Sequence, residues 1–462
     1  MTLPDIALER LSLGGEAVGR LPPEGEGRPG RVVFVAHGAP GDRAVLDRIK
    51  NEKSFARAGI ASLVAPGPDR VEPRCPHFFR PGRAPADVCG GCDWQHLAYP
   101  AQIDAKRNLL SETFQRIAKI PRPNVLLTVG ADSPEAAWRY RNKVQVPLAR
   151  SGHRVVAGFY APGSHTVVPF DDCPVQDERS VAVVRAVRGW AERTHLPLYD
   201  ARTGRGGARH LLVRTAARDV LVALVTTSER APALSTFARD LKKALPFVTA
   251  VFHNVNDREG NVVLGPRWVH LGGKDHLEES LLGLRFRLSP GAFFQVNHAM
   301  AEKLYGLAVD MAAAGPADVV WELYAGVGAM GQLIARRAKT VWAVEENHRA
   351  VRDGIGSLAL NGIDNLRFRQ GRCELVLARR LLPDAPTVVV LDPPRAGCER
   401  TVLKAVMKAA PRRVVYVSCD PGTLARDAAY LSTGGYLLQK SVPVDLFPQT
   451  AHIESVSLFE RK

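Results

Sequence analysis

Residues 319–331 read VVWELYAGVGAMG, an apolar strand pattern that runs into a glycine-rich turn and then into a helix pattern. Glycines spaced as G-x-G-x-x-G let the backbone approach a nucleotide-like ligand at the start of a helix. The next strand pattern, residues 340–344, ends in Glu345, where a carboxylate can bind both hydroxyls of a ribose. The two features predict a nucleotide-type cofactor, and they leave open a nicotinamide cofactor and S-adenosylmethionine.

Strand and helix patterns alternate from residue 317 onward. Strands are predicted near residues 318–323, 340–345, 365–369, 386–391 and 412–418. Helix patterns lie between them, and this alternation is typical of a doubly wound parallel sheet. Two further strand patterns, at about 435–445 and 452–459, have no room for a helix between them. They predict an antiparallel pair at the end of the sheet, which is the layout of S-adenosylmethionine methyltransferases.

Two of the predicted strand ends carry reactive side chains. The strand pattern at 412–418 delivers Cys419 to a turn where a helix should begin. Amide groups at a helix N-terminus lower the pKa of a thiol, which favours the reactive thiolate. The strand pattern at 386–391 ends in Asp392. Cys419 is therefore predicted to be a nucleophile, and a buried core cysteine is the alternative.

Five motifs follow one another in the C-terminal part of the chain. They are FFQVN (293–297), LYAGVG (323–328), DPPRAG (392–397), SCDPGTLARD (418–427) and HIESV (452–456). Together they resemble the RNA (uracil-5-)-methyltransferases. The resemblance implies a Rossmann-like class I S-adenosylmethionine-dependent methyltransferase domain at about 286–462. Its expected reaction is methylation of C5 of a uridine in RNA through a covalent adduct between the cysteine and C6.

The resemblance also implies roles for individual side chains. Cys419 and Glu454 match the nucleophile and the base, and Gln295, Tyr324, Glu345 and Asp392 match the positions that bind S-adenosylmethionine. A base is needed because C5 carries both a methyl group and a proton after transfer. Without its motif, Glu454 would be interpreted as a surface carboxylate on an edge strand. Arg395 is expected to orient the target base or its phosphate, and the target uridine has to be extruded or already looped out.

The chain has seven cysteines, which are Cys75, Cys89, Cys92, Cys173, Cys373, Cys398 and Cys419. We find no signal peptide and no apolar run of membrane-spanning length, so we expect a cytoplasmic protein without a membrane partner. A reducing compartment disfavours disulfides and favours metal binding or catalysis. Cys373 and Cys398 have no partner pattern and are expected to be structural.

Four of these cysteines, Cys75, Cys89, Cys92 and Cys173, give a thiolate count that suits zinc as well as an iron–sulfur cluster. Cluster-bearing members of the family have a Cys-Gly-Gly-Cys followed by a tryptophan, matched by CGGCDW at 89–94, and a distant Cys-Pro, matched at 173–174. The resemblance therefore implies a 4Fe-4S cluster on these four. The interval from Cys75 to Cys89 is longer than is usual in the family, which a loop can absorb.

The N-terminal part shows short β-branched runs such as RVVFV at 31–35 and a PGD turn at 40–42, which suggest a small all-β barrel. A generic β domain has the same pattern. Its position ahead of this enzyme makes it resemble the TRAM module, an OB-like RNA-binding barrel. We predict a multidomain α/β protein: a barrel at 1–60, a linker at 61–70, a central α/β iron–sulfur region at 70–285 and the methyltransferase domain at 286–462.

A formal net charge of +15 and a pI near 9.7 predict attraction to polyanions. The loop RTGRGGARH at 202–210 suits phosphate contact, although a solvated loop would look the same. We expect a monomer acting on RNA, with 23S ribosomal RNA as the first candidate and the T-loop of transfer RNA as the alternative. An NAD-dependent enzyme is the first alternative class, but the sequence shows no site for hydride transfer. A noncatalytic RNA-binding assembly factor would not need Cys419, Asp392 and Glu454.

Overall fold

The computed structural model describes residues 4–23, 29–200, 203–230 and 233–462. Within them the chain forms a closed five-stranded barrel, two seven-stranded sheets and a two-stranded hairpin. In this described part, no helix is both long enough and apolar enough to cross a membrane. The predicted multidomain α/β architecture is confirmed at this level.

The N-terminal barrel closes in the order β1-β2-β3-β5-β4. Its strands are β1 (Asp5–Leu11), β2 (Ala17–Arg20), β3 (Val32–Val35), β4 (Arg43–Asn51) and β5 (Ala56–Ala65). The barrel does not end at residue 60, and residues 61–65 are not a linker, because β5 continues to Ala65 and pairs there with Arg43. Small residues and a following proline suggested a linker, but pairing with β4 makes this segment a strand. Residues 1–3 and 24–28 of the predicted barrel lie outside the described residues.

The cysteine-bearing segment after the barrel packs on the barrel itself. Phe78, Val88 and Trp94 join the hydrophobic core of the barrel strands. A 3-10 turn covers Pro85–Asp87, a second covers Glu135–Ala137, and helix α1 spans Tyr99–Arg116. Helix α1 packs against the C-terminal sheet. The N-terminal part of the predicted central region therefore connects the barrel to the C-terminal domain.

The central sheet has the order β12-β11-β10-β9-β6-β7-β8. Its elements are β6 (Lys143–Ser151), β7 (Arg154–Tyr160), β8 (Val167–Pro169), α2 (Glu178–Arg193), β9 (Ala208–Thr215), β10 (Val220–Thr226), α3 (Leu234–Ala244), β11 (Ala250–Val255) and β12 (Arg267–Gly273). Every residue of β10 is buried, which explains its unbroken apolar sequence. Helices α2 and α3 contribute Trp190 and Phe237 to this core.

The predicted arginine-glycine loop has a partly structural role. Arg202 lies outside the described residues. Arg209 is buried and donates to the carbonyl oxygens of Asn256, Arg258 and Gly260. Its guanidinium group therefore holds a neighbouring loop of the protein, and the expectation of phosphate contact fails for this residue because its donors point inward.

The C-terminal sheet has the order β17-β16-β15-β18-β19-β21-β20. A hairpin of β13 (Leu277–Leu281) and β14 (Leu284–Leu288) precedes the sheet along the chain. The elements of the C-terminal domain that follow the hairpin are α4 (His298–Ala312), β15 (Val319–Leu323), α5 (Ala329–Ala335), β16 (Thr340–Glu345), α6 (His348–Asn361), β17 (Leu366–Gln370), α7 (Cys373–Ala378), β18 (Val388–Leu391), α8 (Arg400–Ala409), β19 (Arg413–Ser418), α9 (Pro421–Thr433), β20 (Tyr436–Val444) and β21 (Glu454–Arg461). Strand β21 is antiparallel to both of its neighbours, β19 and β20. The doubly wound sheet with a terminal antiparallel pair is confirmed.

The hairpin belongs to the C-terminal domain by its packing. Its leucines share one hydrophobic core with α4 and β15, and β14 packs on α6. The boundary predicted at residue 286 therefore falls inside β14. The sequence of β13 and β14, two short strands with charged residues on one face, does not indicate whether the hairpin packs on the central or on the C-terminal domain.

Candidate active site

Four parallel strands of the C-terminal sheet end at one edge, and each places a predicted residue there. Tyr324 follows β15, Glu345 ends β16, Asp392 follows β18 and Cys419 follows β19. The carboxyl ends of parallel strands meet at the same side of a sheet, where ligands bind in this class of fold. Strand β21 runs the other way, so its first residue, Glu454, reaches the same edge. Pairing of Ser418 with Ser455 fixes this register.

These residues face one cavity of about 860 Å³. The lining includes Cys419, Glu454, Gln295, Tyr324, Glu345, Asp392 and Arg395. The structure thus brings together every catalytic and cofactor-binding residue predicted from the sequence, although they extend from Gln295 to Glu454 along the chain. The cavity joins a glycine-rich end to an end that carries the thiol.

At the glycine-rich end, the backbone and one carboxylate form a cradle. Gly326 and Gly328 have φ values of 57° and 70°, a conformation that favours glycine. A Cβ atom at Gly326 would meet nothing within 4 Å, so open space lies above this turn. Glu345 Oε2 accepts the Gly326 N–H at 2.8 Å and Oε1 accepts the Asn347 N–H at 2.7 Å. A fixed carboxylate beside an open glycine turn fits a nucleoside with a free ribose.

Glu322 is a functional candidate that the sequence analysis missed. It is buried inside β15 and lines the cavity, and the Gly331 backbone N–H approaches its carboxylate. Burial, with smaller contributions from Asp392 and Glu345, raises its pKa to about 8. A Cβ atom at Gly331 would approach Glu322 Oε2 to 2.2 Å, so the third glycine of the motif makes room for this acid. The sequence signal that could have identified Glu322 is an acidic residue within an otherwise apolar strand.

At the other end, the environment of Cys419 differs from the prediction. Burial first, and then the carboxylates of Glu454 and Asp392, raise the pKa of the Cys419 thiol to about 11, and Arg395 opposes them. The expected lowering by a helix N-terminus is wrong for this structure. Asp420 caps α9, because its Oδ1 accepts the Thr423 N–H at 2.8 Å. A backbone N–H does lower the pKa of the Cys419 thiol, but burial and the two carboxylates outweigh it.

Two carboxyl groups share the reactive end of the cavity. Burial raises the pKa of Asp392 to about 7. The pKa of Glu454 lies well above its usual value because of burial first and Asp392 second, while Arg395 and Lys106 lower it. Carboxyl groups with raised pKa values can accept and hold a proton near neutral pH, as a general base requires.

The other predicted residues are held by contacts from outside the C-terminal sheet. The Gln295 carbonyl oxygen accepts the side-chain amide of Asn142, in the segment just before β6, at 3.3 Å. Tyr324 has φ 65° and hydrogen-bonds with the Cys398 thiol. Cys398 is buried, as expected for a structural cysteine. Cys373 is also buried but lines the cavity wall, which its sequence did not indicate.

All seven cysteines are free thiols, and four of them are near one another away from this cavity. The pKa values of Cys89 and Cys92 are raised by burial first and then by repulsion from the neighbouring thiols, Cys75 and Cys173 among them. The Cys89 N–H donates to the His77 carbonyl oxygen at 2.8 Å, so the long interval after Cys75 folds back on itself. The thiol donor set suits a cluster or zinc.

The expected metal centre is nevertheless not confirmed. Across residues 4–23, 29–200, 203–230 and 233–462, no group of three or more His, Cys, Asp or Glu side chains is close enough to hold a metal ion. The four thiols are neighbours that influence one another electrostatically, and they do not form a closed coordination shell. The cluster therefore stays a prediction.

Comparison with known proteins gives concordant matches. The tRNA (uracil-5-)-methyltransferase family model matches residues 273–462. An uncharacterized RNA methyltransferase of Listeria monocytogenes is 36% identical over 457 residues, covering 98% of this chain and 96% of the relative. One from Halalkalibacterium halodurans is 34% identical, with 99% and 97% covered. The tRNA (uracil-54, C5)-methyltransferase of Pyrococcus abyssi, solved with S-adenosyl-L-homocysteine, has the same fold with TM-score 0.75, 24% identity and coverage of 98% and 99%.

Proposed function

Because the chain belongs to the S-adenosylmethionine-dependent RNA (uracil-5-)-methyltransferase family, we propose that it methylates C5 of one uridine through a covalent adduct between Cys419 and C6. One observation carries this proposal. Cys419, Glu454 and Asp392 lie at one end of a cavity whose other end is the glycine cradle of Glu345. A thiol, a base and a nucleoside site in one enclosed space are the parts that the reaction needs.

The reaction follows from the electronic structure of uracil. C5 is a weak nucleophile until a thiolate adds to C6, which turns C5 into the nucleophilic end of an enolate. S-adenosylmethionine, when bound, supplies the methyl group from its sulfonium. Glu454 then removes the proton from C5, and the electron pair that is released expels Cys419 as the thiolate. Product is 5-methyluridine, and the proton leaves on Glu454.

Cys419 has to lose its proton before it can add. In the free protein its pKa is too high for much thiolate at neutral pH, because burial and two carboxyl groups oppose ionisation. Arg395 is the nearby cation that favours the thiolate. We propose that Arg395 stabilises the thiolate of Cys419 and also contacts the target nucleotide. A positively charged methyl donor in the same cavity favours the thiolate further.

The cofactor contacts follow the geometry of the cradle. Glu345 is placed to accept the ribose hydroxyls, while Gln295, Tyr324 and Asp392 line the path between the ribose and the thiol. Glu322 is a buried carboxyl group that lines the cavity and has no side-chain hydrogen-bond partner in the described structure, so it is placed to accept a polar group of the bound cofactor.

We propose 23S ribosomal RNA as the substrate and a monomer as the active form. Support comes from the basic chain, from the barrel and from the resemblance to cluster-bearing, barrel-bearing relatives. The barrel is proposed to be a TRAM module that binds RNA. A uridine of the transfer-RNA T-loop is the second candidate, favoured by the family description and by the substrate of the Pyrococcus abyssi protein.

We also propose a 4Fe-4S cluster held by Cys75, Cys89, Cys92 and Cys173. Support comes from four free thiols that influence one another electrostatically, of which Cys75 is buried and the other three are partly buried. A bound cluster would provide a covalent link between the segment on the barrel and the loop before α2. Methyl transfer needs no electron, so the role assigned to these residues is structural.

The substrate proposal is tested by mapping 5-methyluridine in total RNA from a strain that lacks the gene. Loss of one site in 23S ribosomal RNA, restored by the wild-type gene and not by the Cys419→Ala variant, is the expected result. Loss confined to the transfer-RNA T-loop would favour the second candidate. No loss in either RNA would contradict both.

A further inference from the structure

Two of the sequence motifs contain polar residues that the proposed reaction does not use. In SCDPGTLARD (418–427) only Cys419 has a proposed role, and in DPPRAG (392–397) only Asp392 and Arg395 have one. The first motif runs from the end of β19 into α9, and the second begins the loop between β18 and α8. The structure explains the remaining residues, because it joins the helix to the loop.

Side chains on the first two turns of α9 bind the backbone of this loop. Thr423 Oγ1 donates to the Arg395 carbonyl oxygen at 3.1 Å. Arg426 Nη2 donates to the carbonyl oxygens of Ala396 and Cys398 at 3.0 Å and 3.3 Å. The helix therefore holds three carbonyl groups of the loop, and the first of them belongs to Arg395 itself.

Asp427 completes this contact from a buried position. Its side chain is 2% exposed and pairs with Arg426, whose side chain is half exposed. Asp427 Oδ2 accepts the Cys398 N–H at 2.8 Å and the Tyr416 hydroxyl at 2.7 Å. A buried charge is unfavourable unless it is paired and hydrogen-bonded, and these contacts meet that need. Because Tyr416 lies in β19, Asp427 joins the loop and the helix to the strand that leads to Cys419.

Gly397 gives these side chains the space to reach the loop. It has φ 75°, a conformation that favours glycine. A Cβ atom there would approach Arg426 Nη2 to 2.5 Å and Asp427 Oδ2 to 2.8 Å. A larger residue would therefore displace both side chains. We call Thr423, Arg426 and Asp427 the α9 clamp.

The loop held by the α9 clamp carries one of the side chains at the reactive end of the cavity. Arg395 and Cys419 both line that cavity. Asp392 is fixed independently at the end of β18, because its N–H donates to the Leu323 carbonyl oxygen at 3.3 Å. Arg395 is exposed, so the position of its guanidinium group depends on the backbone that carries it.

We propose that Thr423, Arg426 and Asp427 are positioning residues, which hold the loop so that Arg395 stays beside Cys419 and the target uridine. This inference rests on the proposed roles of Cys419 as the nucleophile and of Arg395 as its cation. The three side chains do not line the cavity, so they act on the reaction through the loop.

The test uses the full chain and two variants that weaken the α9 clamp at different points. Thr423→Val keeps the shape of the side chain and removes its donor, without touching the buried ion pair. Arg426→Met removes both donations to the loop and keeps the length of the side chain. Arg336→Met is the matched control, because Arg336 is also an exposed arginine that donates to two carbonyl oxygens, those of Leu282 and Gly283. Thermal melting checks that each variant is folded.

Hydrogen exchange measures the loop directly. Amides of residues 395–398 should exchange about tenfold faster in Arg426→Met and faster than in the wild type in Thr423→Val, whereas Arg336→Met should not change them. Each protein also receives a 23S or transfer-RNA transcript that the wild type methylates. The rate of methyl transfer should fall about tenfold in Arg426→Met, because a displaced loop misplaces Arg395.

A double variant separates positioning from general stability. In a chain that already carries Arg395→Gln, adding Arg426→Met should lower the rate by less than about twofold, because the side chain that the α9 clamp positions is gone. If Arg426→Met lowers the rate by the same factor with and without Arg395, the α9 clamp only stabilises the domain and the inference is overturned. Unchanged loop exchange in both Thr423→Val and Arg426→Met would also overturn it.

Failure of the proposed function gives a different result. A wild type that methylates neither transcript, or a Cys419→Ala variant that methylates RNA like the wild type, would contradict the proposed nucleophile. Neither result involves the α9 clamp, and loop exchange, which needs no RNA, then decides whether the clamp holds the loop.

Discussion

The two thiol sites of this protein differ in what faces the sulfur atoms. Cys419 lies at the edge of a cavity of about 860 Å³, beside two carboxyl groups and an arginine. Cys89 and Cys92 are partly buried and lie near other thiols in the segment that packs on the barrel. Burial raises the thiol pKa in both places, so the pKa alone does not distinguish them. The neighbouring groups distinguish the two sites, because a nucleophile needs a base and a substrate cavity, whereas a metal ligand needs further ligands nearby.

The largest effect is expected at the first site. Cys419→Ala leaves no thiolate to activate C5, so the rate of RNA methylation should fall by about a thousandfold or more. Cys373→Ala is the matched control, since Cys373 lines the same cavity but no carboxyl base of the reactive end faces it. Product is measured as methyl label transferred to RNA. Comparable loss in both variants would mean that the cavity, and not one nucleophile, had been damaged.

A large effect of a different kind is expected at the second site. Protein purified without oxygen should be brown, with broad absorbance near 400 nm and about four irons per chain. Cys89→Ser should bleach it, whereas Cys398→Ser, a change at a buried thiol outside this group, should not. Binding of S-adenosylmethionine should persist in both. Colourless wild-type protein carrying one zinc would assign these thiols to a zinc site.

The smallest effect concerns Arg395, the arginine beside Cys419. Arg395→Gln removes the cation that lowers the Cys419 pKa, so alkylation of Cys419 by iodoacetamide should need a pH higher by about half a unit. Arg372→Gln is the control, because Arg372 lines the cavity but is paired with Glu374 and Glu399. Peptide mass spectrometry isolates Cys419 from the other thiols. An unchanged profile would remove Arg395 from the account of thiolate formation.

Much of the C-terminal domain is predictable from sequence because its signals are local. The strand patterns agree with β15, β16, β17, β18, β19, β20 and β21 to within a few residues, and the sheet edge follows from the parallel layout. Short motifs at strand ends then locate Cys419, Asp392 and Glu345. Glu454 was identified only by resemblance, since an acid at the start of a strand carries no pattern of its own.

The parts that sequence missed depend on contacts across the chain. The end of β5, the packing of Trp94 on the barrel and the pairing of Lys106 with Asp445 each join segments that no local pattern connects. The Cys419 pKa was mispredicted for a related reason. A helix start and its Asp420 cap are local, but the approach of Glu454 and Asp392 to Cys419 depends on the tertiary structure.

The most direct test of the Cys419 and Glu454 assignment is adduct trapping with Glu454→Gln. This variant keeps the nucleophile and loses the base, so methyl transfer should occur once and release should stall. We predict a protein–RNA species that survives denaturing electrophoresis, carries label from the methyl donor and is absent from the Cys419→Ala, Glu454→Gln double variant. Turnover of Glu454→Gln at the wild-type rate, or an adduct that forms without Cys419, would contradict the account.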